Sequence, residues 1–291
     1  MLDSSTMNKP PYDKSERVDL SDEPVHWDLG SSLSYGEYLR LDLLLDAQRP
    51  LSHEHDEMMF IVLHQAAELW MRLFLHELAA VVDSVQRDNL GSCFKMFTRI
   101  SRLQTQLLNT WDVLATMTPA DYALFRNVLG RASGFQSVQY RLLEFTLGNK
   151  NPGYITVHRK HPQDYNRLKV ALEAPSLYDE VLRLLSRRGY GIPEDHLSRD
   201  FSEPYRASKQ VTGAWLGIYL NAAKEWELYE LAERLIELDH QFQLWRFHHL
   251  KVVERIIGGK RGTGGTSGVG YLTKALELKF FPELWQVRTS M

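Results

Sequence analysis

Cysteine is nearly absent from this chain: among 291 residues Cys93 stands alone. One thiol excludes an internal disulfide, a cysteine-built zinc or iron–sulfur site, and the two-thiol attachment of a c-type haem. Excess charge is lacking too. The 34 basic and 37 acidic residues leave a formal charge of −3, with no basic block, so a chain that holds nucleic acid through its phosphates is not expected. Long hydrophobic runs are also missing. The most apolar stretch, Met58 to Leu63, falls far short of the roughly 20 residues a spanning helix needs. The start, Met1-Leu2-Asp3-Ser4-Ser5, shows no basic residues followed by an apolar stretch, so no secretory signal is visible. There is no internal repeat, heptad array or low-complexity tract. These absences lead to the expectation of a soluble, cytoplasmic protein that binds neither nucleic acid nor a membrane.

What is present is apolar content at helical spacing. Hydrophobic residues make up 44% of the chain and aromatics 11%, enough for a large core. Residues 1–30, polar and punctuated by Pro10, Pro11 and Pro24, read as a mobile N-terminal arm. Residues 31–291 read as a single all-α domain, a helical bundle with long helices. The period predicts helices over 35–47, 56–87, 92–117 and 118–130, the last started by Thr118 as N-cap and Pro119 at the first helical position. Another follows over 135–147, closed by Gly148. Residues 149–173 look least helical and suggest a short extended excursion. Helices resume over 176–187, 209–257 and 271–279.

The longest of these carries the first chemical signal. Leu231, Leu235, Leu238, Phe242, Trp245, His249, Val252 and Ile256 step by alternating fours and threes, so they line one helix face. His249 is the one polar ring on that stripe, and a buried polar group without a partner costs about 1–3 kcal/mol. The helix runs on into Gly258-Gly259-Lys260-Arg261-Gly262-Thr263-Gly264-Gly265, a loop of bare amides and positive charge. Phe60 and His64 share a face at four-residue spacing, as do Tyr122 and Arg126. The first pair is compatible with a core histidine bonded to a backbone carbonyl. The second is compatible with a solvated arginine beside a half-buried tyrosine, or with a bidentate clamp for a carboxylate.

Motif tests narrow the choice. Gly259-Lys260 is followed by Arg261 and comes after a helix, so the loop is no phosphate-binding P-loop. His76-Glu77 leads into Leu78-Ala79-Ala80, not the second histidine of a zinc protease. Only Glu237 and His240 fit a di-iron helix motif, and that histidine lies off the stripe. A b-type haem, held by one axial histidine with a second histidine across the pocket, survives as one candidate for the partner of His249. A purely structural histidine survives beside it.

Several motifs in order resemble the tryptophan 2,3-dioxygenase family. They are Tyr35-Gly36-Glu37-Tyr38-Leu39; Phe60-Ile61-Val62-Leu63-His64-Gln65 with Glu68-Leu69-Trp70; Phe125-Arg126; and Ser133-Gly134-Phe135-Gln136-Ser137. Phe242 through His249, Lys260 through Gly265, and Phe280-Phe281-Pro282-Glu283-Leu284 complete the set. The resemblance spans residue 30 to the end. It implies an enzyme that uses haem b, one per subunit and ferrous when active, with O2 as co-substrate. That enzyme cleaves the C2–C3 bond of L-tryptophan to N-formyl-L-kynurenine, the first step of the kynurenine pathway. It implies His249 as axial iron ligand, Trp111 beside it, and Ser133 with the basic loop near the haem propionates. It also implies Phe60, Ile61, Val62, Leu63 and His64 as the distal substrate wall, His64 being the catalytic residue and accepting the indole N–H. Tyr122 and Arg126 would hold the carboxylate and Thr263 the ammonium end. Tyr35, Tyr38 and Leu39 would reach into a neighbour's site in a homotetramer. The adjacent His248 also lies within helical reach of Trp245 and Val252, but His249 continues the stripe. The rival readings are an indoleamine dioxygenase-like enzyme of broader range, a non-catalytic haem sensor, and a helical scaffold without cofactor.

Overall fold

The computed structural model describes residues 24–27 and 29–291, and among these every regular element is helical. The chain parts into two compact units between Arg49 and Pro50. In the first, α1 (Tyr35–Leu39) and α2 (Leu41–Leu45) flank Arg40. The left-handed φ of 51° at Arg40 breaks what the sequence period reads as one helix. Ser34 starts α1 through a reciprocal capping box with Glu37. The expected arm of residues 1–30 falls mostly on positions outside the described residues.

The second unit is built on three helices: α3 (His55–Gln86), α4 (Leu90–Leu114) and, much later, α11 (Trp226–Ile257). Between α4 and α11 come α5 (Pro119–Phe125), α6 (Val138–Leu147), α7 (Pro162–Glu173), α8 (Leu177–Arg187), α9 (Glu194–Leu197) and α10 (Lys209–Leu220). After α11 come α12 (Val269–Leu276) and α13 (Pro282–Ser290). The pattern that makes each long helix also decides its packing. Phe74, Leu78, Val81 and Val85 of α3, Phe97, Ile100, Leu103 and Leu107 of α4, and Leu231, Leu235, Leu238 and Phe242 of α11 are buried together. Each set recurs every three or four residues, so α4 can pack along both α3 and α11. Truncating one such leucine to alanine costs about 2–5 kcal/mol. A separate cluster of Leu114, Met117, Phe125 and Val252 lies where α4 ends, α5 begins and α11 nears its end.

Local start and stop signals hold where chemistry fixes them. Thr118 and Asp121 form a capping box with Pro119 at the first helical position. Gly148 ends α6 at φ 117°, a conformation that favours glycine. Elsewhere the structure departs from the period. The helix from Thr118 tightens to a 3-10 turn over Arg126–Leu129. Residues 149–173 hold a 3-10 turn (Pro152–His158) and α7 rather than an extended excursion. The run 209–257 divides into α10 and α11, and α9 and α13 are additional. Long-range contacts hold α13: buried Glu283 accepts from the hydroxyls of Tyr178 (3.0 Å) and Tyr205 (2.6 Å) and from Ser208 N (2.8 Å).

One helix face is left exposed among the described residues. α3 is long and apolar enough, by length and composition, to cross a membrane, yet only 11% of its most apolar window is buried. Met58, Val62, Leu69 and Leu73 form an exposed stripe along it.

Candidate active site

Between the two apolar clusters lies a cavity of about 260 Å³. Phe60, Leu63 and His64 of α3, Trp111 and Leu114 of α4, Tyr122 of α5, and His249, Val252 and Ile256 of α11 wall it, and the loop after α11 contributes Gly262, Thr263 and Thr266. Mostly apolar walls with a few convergent polar groups are the ordinary make-up of a small-molecule site. Helical geometry explains which residues reach it. Phe60, Leu63 and His64 are three and four apart and share the inner face, whereas Ile61 and Val62 do not wall the cavity and Val62 lies on the exposed stripe.

The two cavity histidines are held differently. His64 donates from Nδ1 to the Phe60 carbonyl at 2.7 Å. A carbonyl only accepts, so the proton sits on Nδ1 and the neutral ring keeps Nε2 as an acceptor. Burial holds the His64 pKa below its ordinary value, opposed by the Phe60 carbonyl and the Glu68 charge. His249 has no hydrogen bond to its ring among the described residues; instead it stacks on Trp111 at 4.5 Å and 6° and lies 5.8 Å from the Trp245 ring. Burial, with a smaller contribution from His64, brings its pKa down to about 4. Both imidazoles are therefore neutral near pH 7, and the lone pair of His249 is uncommitted.

At the other end, the loop after α11 is docked on the segment before α6. Thr263 Oγ1 donates to the Ala132 carbonyl at 2.5 Å, and Arg126 donates to the Arg261 carbonyl at 2.7 Å. Gly264 lies so close to Ser133 that a Cβ would stand 2.7 Å from its Cβ and Oγ. Here the requirement for glycine is close approach rather than backbone angle. Arg126 thus braces the loop instead of walling the cavity, while Tyr122, whose phenol pKa burial raises and Arg126 opposes, does wall it. Of the residues expected in the site, Phe60, Leu63, His64, Trp111, Tyr122, Ser133, His249 and Thr263 come together. His248 lies half-buried with Nδ1 3.7 Å from Asp112 and does not wall the cavity. Tyr35, Tyr38 and Leu39 belong to α1 in the first unit and are exposed there.

Four further wall residues, two of them inside the quoted motifs, receive no site role from the sequence reading. Arg141 and Arg246 are buried on either side of Glu144, and the Arg141 guanidinium lies 4.1–5.0 Å from the rings of Phe135, Tyr140 and Tyr154. Glu68, one turn beyond His64, is held by Gln139 Nε2 at 2.8 Å. Tyr140 completes the group, its phenol pKa pushed well up by burial. The available signal was spacing: Arg246 is seven residues from Asp239 and Glu68 four from His64, so each pair shares a face.

The comparisons with known proteins decide the lineage. The family model for tryptophan 2,3-dioxygenase matches residues 20–173 and 216–291. The chain belongs to the tryptophan 2,3-dioxygenase family. Among its relatives, a tryptophan 2,3-dioxygenase of Bacillus thuringiensis (strain Al Hakam) is 50% identical over 278 residues, covering 96% of this chain and 99% of the relative. Another, of Polaromonas sp. (strain JS666), is 52% identical over 95% of this chain and 94% of its own length. A third, of Bordetella parapertussis (strain 12822), is 50% identical over 98% of this chain and all of its own. The family is haem-dependent, and the residues here fit that group. Among the described residues, His249 offers a neutral imidazole without a hydrogen-bond partner to a mostly apolar cavity, and the buried Trp111 Nε1–H finds no acceptor.

Proposed function

We propose that this protein is a haem-dependent dioxygenase that opens the indole C2–C3 bond of L-tryptophan with O2. Its product is N-formyl-L-kynurenine, which keeps both oxygen atoms, and the reaction is the first step of tryptophan degradation by the kynurenine pathway. The observation that carries the reading is one cavity shared by an uncommitted imidazole, His249, and a tautomer-fixed imidazole, His64. Identity of 50% to a named tryptophan 2,3-dioxygenase over 96% of the chain supports it.

In this reading His249 would hold the iron of a haem b, its ring steadied by the Trp111 stack, and Ser133 and the basic loop would meet the haem carboxylates. When bound and ferrous, haem supplies the activation of dioxygen. Everything else falls to the chain. Phe60 and Leu63 present an apolar wall to the indole. His64 accepts the indole N–H on Nε2, because Nδ1 is committed to Phe60. That bond orients the C2–C3 edge, and orientation with exclusion of water is the protein's main contribution. The Tyr122 phenol and the Arg126 guanidinium behind it take the substrate carboxylate, and Thr263 takes the ammonium end. Neither Arg126 nor Thr263 has to give up its loop bond to do so, because the guanidinium has further N–H donors and the threonine hydroxyl can accept while it donates to Ala132.

The exposed stripe of α3 and the exposed Tyr35, Tyr38 and Leu39 favour a homotetramer whose N-terminal residues complete a neighbour's site. In this reading a second copy of the chain, rather than a membrane, covers this face. The test is an anaerobic titration of the ferrous, haem-loaded protein with L-tryptophan, followed by admission of O2. Absorbance of the formylated product is expected, with tryptamine a far poorer substrate. No product from L-tryptophan refutes the activity, and equal turnover of tryptamine refutes the carboxylate clamp.

A further inference from the structure

Arg141 occupies a place that is unfavourable for a cation. It is the fourth residue of α6, in the opening turn, where the helix dipole disfavours positive charge, and it is 1% exposed. Its Nη1 pairs with Glu144, which Arg246 holds from the other side. Replacing a buried pair of this kind by apolar side chains is often neutral or stabilising. Stability alone therefore does not account for Arg141.

The other edge of its fork does. Nε and Nη2 both donate to the Phe135 carbonyl, at 3.3 and 3.1 Å. The rings of Phe135, Tyr140 and Tyr154 lie 4.1–5.0 Å from the guanidinium and fix its direction. The amide of the same residue, Phe135 N, donates to Ser133 Oγ at 3.3 Å, so both backbone polar groups of Phe135 are held. Ser133 is the residue against which Gly264 packs, and the Ala132 carbonyl beside it accepts from Thr263. On the same loop, the Arg261 carbonyl accepts from Arg126. A continuous chain of contacts thus runs from Arg141, through the turn at Phe135, to the loop that carries Thr263.

We propose that Arg141 is a positioning residue, which holds the turn at Phe135 so that the loop after α11 is seated to grip the amino-acid end of the substrate. The proposal rests on the dioxygenase reading and adds a group that acts through the loop. Arg141→Lys keeps the charge and replaces the planar fork by a point donor. On protein matched for haem content, KM for L-tryptophan should rise about three- to tenfold, the worth of one hydrogen bond. Because His64 still orients the indole, kcat should stay within about twofold of the parent. The inhibition constant of 3-methylindole, which has the ring and no amino-acid end, should not move. Arg199→Lys is the control: it removes a comparable fork, on Asp179 at 2.9 and 3.0 Å, away from the cavity wall, and should leave both constants at the parent values. Hydrogen exchange read by mass spectrometry should quicken over residues 132–136 and 261–265 in Arg141→Lys and not in the control. Unchanged KM for L-tryptophan, or unchanged exchange, overturns the proposal. A parallel rise for 3-methylindole overturns it as well, since that marks general damage to the cavity, and so does weaker haem binding with neither constant changed. If the lysine variant does not fold, Tyr154→Leu, which strips the ring 4.1 Å from the guanidinium, is read by the same split. A parent enzyme without tryptophan turnover would instead fail the dioxygenase reading, and the exchange over 261–265 would still decide whether Arg141 seats the loop.

Discussion

Replacing Gly264 by alanine tests whether the loop after α11 is a closing wall of the site. The added methyl would stand 2.7 Å from Ser133 Cβ and Oγ, whereas ordinary contact begins at 3.4 Å, so loop or serine must retreat by about 0.7 Å. Neither is free to do so cheaply. The Ser133 hydroxyl accepts from Phe135 N at 3.3 Å and starts the turn leading to α6. The loop is tied on both sides of Gly262, by Arg261 to Arg126 and by Thr263 to Ala132. Overpacking of this kind costs about 1–3 kcal/mol, and a shift approaching 1 Å in a substrate-holding wall costs on the order of 10²-fold in rate. Gly264→Ala should therefore lower kcat/KM for L-tryptophan by about 10- to 100-fold. Gly259 is the internal control, because a Cβ there meets nothing within 4 Å and its φ is unexceptional; Gly259→Ala should stay within about twofold of the parent. The assay is product absorbance on protein matched for haem content. Parental activity in Gly264→Ala would show that this loop does not close the site.

Three further outcomes are expected. His249→Ala should be isolated without haem while His248→Ala keeps a normal Soret band, and the reverse result would sink the ligand assignment. Because burial holds His64 below its ordinary pKa of 6.5, the acid limb of kcat/KM should lie below that value, and Glu68→Gln should move it lower still by removing the opposing charge; an acid limb above 6.5 would contradict this. Burial also draws the Lys150 pKa from 10.5 to about 8, with its Nζ donating to the Ala171 and Ala174 carbonyls. Between those two values the unfolded chain binds more protons than the folded one, so this group makes stability rise with pH by up to about 3 kcal/mol. Urea midpoints from pH 7 to 10 should show that rise in the parent and not in Lys150→Met.

Local rules reached most of the fold because most of it is decided locally. The stripes of α3, α4 and α11 are period alone, and Thr118, Gly148 and Ser176 end or start helices through their own backbone and side-chain chemistry. What escaped was decided at a distance. α13 is short and weakly amphipathic, and it is held by Asp239, which accepts from Phe280 N and Trp285 Nε1, and by Glu283. The α10–α11 break leaves the helical period almost undisturbed. In the site, spacing brought Phe60 to His64 and Tyr122 to Arg126, but it could not show that the Arg126 fork would turn to a loop carbonyl 135 residues away. Nor could it show that Arg141 would sit among three aromatic rings.

The two histidines were alike in sequence, each a polar ring on an apolar helix face, and the structure separates them by what each ring is denied. His64 has a partner for Nδ1 one turn back on its own helix, so its tautomer is chosen before any ligand arrives and its remaining nitrogen is an acceptor. A ring in that state suits a neutral N–H donor such as an indole. His249 has no such partner, and its orientation comes from a nearly parallel indole ring, Trp111. Stacking fixes the plane of the ring while leaving both nitrogens chemically open. Its pKa near 4 keeps protons from competing for the lone pair at any pH where the protein is expected to work. A metal ligand needs that availability, and a substrate acceptor needs the opposite, a nitrogen whose role is settled. Trp111 also leaves its own N–H unpaired among the described residues, which is tolerable if an acceptor arrives with the cofactor. Replacing Trp111 by phenylalanine keeps the stack and removes that donor. If the two functions are as separate as the geometry makes them, His249 keeps its ring plane and the haem is bound more weakly, which a haem-transfer assay reads directly.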